Sequence, residues 1–187
     1  MAALALLLPA TATTQAEDTA SGFNGVWVFD EGASDNTDRQ VEKAIKASGG
    51  KPIKGKSGNE KYRGGPPEQE LYDALSYDRM LQISIAGPEV RMRYPNDLER
   101  VFYTDNRPRS VSAVESAVKD YSFATLQGNR MLVESRPRDG GRIHEEYDLL
   151  DGGKRLRITM QLLPSNFGET VEIRRVFNRY EEVKSEK

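Results

Sequence analysis

From Arg79 to Asn178 the apolar residues of this chain recur at every second position. Leu81, Ile83 and Ile85 alternate with polar neighbours. Leu156, Ile158, Met160 and Leu162 alternate with Arg155, Arg157, Thr159 and Gln161, and Val171, Ile173 and Phe177 share a parity near the C-terminus. A period of two sends successive side chains to opposite faces of a strand, so each run predicts a strand with one apolar face. Turn-forming residues separate the runs: Gly87-Pro88, Pro95-Asn96-Asp97, Asp105-Asn106-Arg107-Pro108, Gln127-Gly128-Asn129 and Asp151-Gly152-Gly153. Together with Phe23–Phe29, they predict a mainly β protein, an antiparallel up-and-down meander of about 8–9 strands. Closing the meander into a barrel removes its exposed edges, whereas the same pattern also permits an open sheet folded over helices.

The alternation is interrupted after the first strand. Val41, Ala44, Ile45 and Ala47 have helical spacing, and Asp35 or Asn36 is placed to cap a helix over Thr37–Ser48 that Gly49-Gly50 ends. Glycine, lysine, serine and proline then dominate as far as Pro67, which is linker composition. A second short helix is expected over Pro67–Tyr77, with Leu71, Ala74 and Leu75 on one face. The expected organisation is one domain over 22–180, containing a helical, Gly- and Lys-rich insertion at 34–78, followed by a charged tail at 181–187.

Residues 1–16 read as the hydrophobic part of a secretory signal. Leu4 to Leu8 are apolar, small residues follow, and no basic residue precedes the run. This run is too short to span a bilayer, and no second one of membrane length exists, so the mature chain is expected not to span a membrane. The chain has no cysteine, which excludes disulfides, thiol catalysis and thiolate metal sites. The net charge is −2, but residues 39–63 hold eight basic side chains against two acidic ones. That segment is either a solvated loop or a contact for an anionic envelope component. Nucleic acid is not an expected partner, because the strands carry the acidic remainder.

No catalytic residues and no metal ligands are assigned. The single histidine, His144, falls on the outer parity of its strand with Arg142 and Glu146. There is no Gly-x-Ser-x-Gly nucleophile turn and no phosphate-cradling loop. Glu145 and Glu146 are adjacent on a strand, point to opposite faces and cannot share an ion. No cofactor is implied.

Two charges, Glu145 and Arg175, share the apolar parity of their strands. An unpaired charge inside a barrel is very costly. They need partners, each other being one arrangement; otherwise they anchor a ligand's polar group, or a bulge turns one of them outward. Tyr94, Phe102, Tyr121, Phe123, Tyr147 and Met160 complete the set of candidate cavity residues.

Gly25-Val26-Trp27 contains the only tryptophan. It resembles the Gly-x-Trp of the first strand of lipocalins and their calycin relatives. Thr104-Asp105 is similar to the Thr-Asp between two central strands of that family. Arg174 or Arg175 is similar to the last-strand arginine that packs over the tryptophan. The resemblance implies a lipocalin-like barrel whose end is built by Gly25, Trp27, Thr104, Asp105 and Arg174 or Arg175. The chain also resembles short exported bacterial proteins with an N-terminal Gly-x-Trp strand, here through Tyr147-Asp148-Leu149, Asp151-Gly152-Gly153-Lys154 and Arg174-Arg175-Val176-Phe177. A barrel of this kind is expected to bind a small hydrophobic molecule or lipid, in the periplasm or outside the cell. The alternative is a non-enzymatic envelope protein whose barrel is filled by Met80, Met92, Phe102, Met131 and Met160. A hydrolase-type enzyme is the remaining, least favoured reading.

Overall fold

The computed structural model describes residues 22–49, 79–95, 99–105, 109–111, 120–136, 141–163 and 168–181. The expected second helix, the signal-like segment and residues 50–63 of the basic run lie outside them.

Among the described residues, ten strands form one antiparallel sheet: β1 (Gly25–Phe29), β2 (Met80–Ala86), β3 (Glu89–Arg93), β4 (Glu99–Tyr103), β5 (Arg109–Val111), β6 (Asp120–Gln127), β7 (Arg130–Arg136), β8 (Arg142–Leu150), β9 (Arg155–Leu163) and β10 (Val171–Arg179). Their order is β4-β3-β2-β1-β10-β9-β8-β7-β6-β5. This is the predicted meander, with the last strand brought back beside the first. β4 approaches β5 and β6 across a seam with no ladder between β4 and β5, so the barrel is nearly closed. The strand missed in the sequence is β5, whose three residues are too few to display alternation.

The inward parity is apolar nearly throughout: Leu81 and Ile83, Val90 and Met92, Met131 and Val133, Leu156 to Leu162, and Ile173 and Phe177 are all buried in one core. Met80 is a correction. It is 42% exposed, because its inward-facing neighbour Leu81 puts it on the outer face.

After β1, a 3-10 turn at Glu31–Ala33 leads to helix α1 (Thr37–Ala47), capped by Asn36, whose side chain accepts from the Arg39 N–H at 3.0 Å. Val41, Ala44 and Ile45 are buried in the barrel core, and Arg39, Lys43 and Lys46 are exposed at helical spacing on the other side. The approach to α1 is tied to β10. The Asp30 N–H donates to Val176 O at 2.8 Å, the Val176 N–H to Ser34 Oγ at 2.9 Å, and Asp35 exchanges 2.8 and 2.9 Å bonds with the Arg174 backbone. Residues 30–35 thus occupy the β10 edge where β1 has ended.

At the opposite end, Trp27 is fully buried and donates from Nε1 to Phe23 O at 3.0 Å. A guanidinium lies over its ring, 4.2 Å from the centroid, but it belongs to Arg179. This corrects the assignment to Arg174 or Arg175. The register sets Trp27 opposite Arg179. Arg174, by contrast, points outward toward Asp35, and Arg175 lies mid-strand inside the barrel, opposite Ile158. Arg179 also donates to Gly153 O, Asn24 O and Gly22 O at 2.7, 2.7 and 2.5 Å, joining three chain segments. Thr104 lies at the same end, its N–H bonded to Pro88 O at 2.9 Å, and Asp105 follows it.

Candidate functional site

The inward faces of β8, β4 and β10 carry polar side chains into this apolar interior. Strand alternation brings Glu145 and Tyr147 inward from β8, where both are almost completely buried. From the far side of the sheet order, β4 contributes Arg100 on the same parity as Phe102. Its guanidinium grips the Glu145 carboxylate with two bonds, Nη1 to Oε1 at 3.0 Å and Nη2 to Oε2 at 2.5 Å. Such paired geometry is the strongest form of a carboxylate–guanidinium contact. The Tyr147 hydroxyl adds a third bond to Oε1 at 3.1 Å, and the Arg100 cation sits 4.7 Å from the Phe102 ring centre. The buried carboxylate therefore has the partners that its burial demands.

Tyr94, just past β3, completes this side. It is buried and hydrogen-bonded to Arg100. Burial holds its phenol above the ordinary tyrosine pKa, opposing the pull of the Arg100 charge, so at neutral pH it keeps its proton. Arg175 is 5% exposed and shares a cross-strand row with Tyr147, with Ile158 between them. It is close enough to Tyr94 to act on that phenol electrostatically. Two guanidinium groups, Arg100 and Arg175, and one carboxylate, Glu145, thus enter the barrel from the described strands.

Most of the residues expected in the cavity converge here. Tyr94, Phe102, Glu145, Tyr147, Met160 and Arg175 are buried in the barrel. Phe123 does not belong with them. It is 41% exposed, since its neighbours Ser122 and Ala124 take the inward parity of β6. Tyr121 lies on β6, with its side chain outside the described residues. Pairing of Glu145 with Arg175 was one of the arrangements open to the sequence, and the carboxylate is held by Arg100. Arg100 was missed, although its parity with Phe102 marks it as inward. Arg179 carries the same signal, two residues beyond Phe177.

The outer face holds separate ion pairs. Asp148 accepts from Arg130 Nε at 2.8 Å and Arg157 Nη2 at 2.7 Å. Arg91 pairs with Glu89 and Glu99. His144 stands outside, its Nδ1 3.7 Å from Glu134 Oε1. Among the described residues no group of three or more His, Cys, Asp or Glu side chains is placed to hold a metal, and no helix is long and apolar enough to cross a membrane.

No protein-family model matches the chain, and no curated protein sequence does. Solved structures do match in three dimensions. One is fatty-acid-binding protein 1 of Echinococcus granulosus, 13% identical, with 86% of this chain and 99% of that one covered and a TM-score of 0.52. Apo lipid binding protein 8 of Caenorhabditis elegans is 14% identical, with 86% and 96% covered and a TM-score of 0.51. The fold is a barrel like that of the fatty-acid-binding proteins. Secretory abundant heat soluble protein 4 of Ramazzottius varieornatus is also similar, at 16% identity, 86% and 96% coverage and a TM-score of 0.51. In this barrel the polar cluster is offset from the Trp27 end, with Arg100 and Glu145 near the starts of β4 and β8.

Proposed function

We propose that the protein is an exported carrier that holds a small amphiphile in its barrel, with the apolar chain against the core side chains and an anionic head on the buried cationic cluster. The observation that carries this reading is a pair of guanidinium groups, Arg100 and Arg175, inside a mostly apolar barrel. Glu145 is held by Arg100 and Tyr147. A ligand carboxylate or phosphate would be received beside the second guanidinium, that of the buried Arg175, with the protonated Tyr94 phenol nearby. The shared fold supports the reading, since two of the similar structures belong to proteins named for fatty-acid or lipid binding. Export, to the periplasm or medium of a bacterium, rests on the apolar run and small residues at 2–16. The exposed Arg39, Lys43 and Lys46 on α1 suit an anionic envelope component as a contact.

A specific observation favours a second reading. Met92, Met131, Met160 and Phe102 are all at or below 1% exposure, as in a filled barrel serving a structural or interaction role. Native mass spectrometry of protein purified gently from its host separates the two. A carrier retains a lipid mass, or takes up added stearate, and Arg175→Met weakens that uptake about tenfold or more. A clean apo mass that added stearate leaves unchanged overturns the carrier.

A further inference from the structure

Ser122 on β6 is 1% exposed, shares the inward parity of Ala124, and its Oγ has no hydrogen-bond partner. Directly opposite on β7 stands Ser135, 8% exposed and also on the inward parity. The two hydroxyls do not bond each other. A buried hydroxyl with no protein group to bond is less favourable than the alanine that would fill the same place, so the fold alone does not account for this serine. We propose that Ser122, with Ser135 opposite it, is a subsite for a second polar group, a hydroxyl or carbonyl, carried along the chain of the ligand.

The inference rests on the carrier reading above and narrows its ligand. Register fixes where the second group must be. Ser122 pairs with Ser135, which aligns in turn with Ile143, Leu162 and Val171. Arg175 lies four strands away in that order and two inward steps further along β10. In a ring of ten strands this is nearly the opposite wall. A chain whose head sits at Arg175 must cross the lumen to reach Ser122, so the second polar group is well separated from the head. The Ser122 hydroxyl donates to a carbonyl or exchanges a bond with a ligand hydroxyl, and an unsubstituted acyl chain leaves it unmatched.

Calorimetric titration of the delipidated protein with stearate and with a mid-chain hydroxystearate tests this, in the native chain and in Ser122→Ala. The native protein is expected to bind hydroxystearate about five- to tenfold more tightly than stearate, the yield of one buried hydrogen bond. In Ser122→Ala the two affinities converge, and the melting temperature is unchanged or higher. Equal affinities in the native protein, or an advantage that survives the substitution, overturn the subsite and leave the carrier standing. A lowered melting temperature of the empty Ser122→Ala variant also overturns it, since the hydroxyl would then already be satisfied by internal water. If neither lipid binds, the carrier reading falls and the subsite falls with it.

Discussion

A Cβ placed on Gly25 would lie 2.7 Å from Nη1 of Arg179. The glycine is also at φ +142°, a conformation that L side chains rarely adopt. Gly25→Ala is therefore expected to destabilise the fold by about 2–4 kcal/mol through strain and displacement of the guanidinium. Urea unfolding should show a lower midpoint. Adding Arg179→Ala to it should cost less than the two single changes summed, because they disturb one contact.

Arg179 alone is the second test. It stacks on Trp27 and supplies three bonds to the carbonyls of Gly22, Asn24 and Gly153. Lysine keeps the charge but loses the planar fork. Arg179→Lys should cost about 1–3 kcal/mol. Because Trp27 is the only tryptophan, its fluorescence reports this site alone. An unshifted spectrum with unchanged stability would refute the role given to the arginine.

Inside the barrel, Arg100 and Glu145 should behave as a unit. Arg100→Met strands a fully buried carboxylate and should destabilise by about 3–5 kcal/mol. The double change Arg100→Met with Glu145→Leu should recover most of that loss, since an apolar pair of similar volume replaces an ion pair at little net cost. Thermal melts of the three proteins decide it, and a double variant no better than Arg100→Met counts against the pairing.

On the outer face, Asp148 gives a pH signature. Burial tends to raise its pKa, but the hydrogen bonds from Arg157 and Arg130 outweigh burial and hold the carboxyl below its ordinary value. A carboxylate with a depressed folded pKa stabilises the fold above the unfolded pKa of about 3.9 and loses that contribution as pH falls through the folded value. Asp148→Asn should thus be less stable by about 1–2 kcal/mol near pH 7. The gap to the native protein should close progressively below about pH 4. A gap that is constant with pH would show that the charge is not what matters.

The alternation that predicts β2, β9 and β10 is strong because one face of each meets a continuous core, and there tertiary packing and local pattern agree. β5 is invisible for the converse reason: three residues cannot establish a period. The interior site was half legible. Parity alone placed Glu145, Tyr147 and Arg175 inside. Pairing across the barrel depends on which non-adjacent strands face each other, so Arg100 could not be matched to Glu145 from local sequence. Phe123 shows the limit of residue type as a guide. An aromatic ring suggests the interior, but the pleat gave the inward positions to Ser122 and Ala124.

The pairing of β1 with β10 has a consequence in time. The register Trp27↔Arg179 joins the first strand of the barrel to its last. A ribosome must therefore release almost the entire domain before β1 can find its second neighbour. Until then, β2 to β4 and β5 to β9 can each zip hairpin by hairpin through local contacts, while Trp27 lacks the cation that covers it. Closure is the step of highest contact order and should set the folding rate. Burial of the indole should then be the last event in refolding, following rather than accompanying the growth of strand structure.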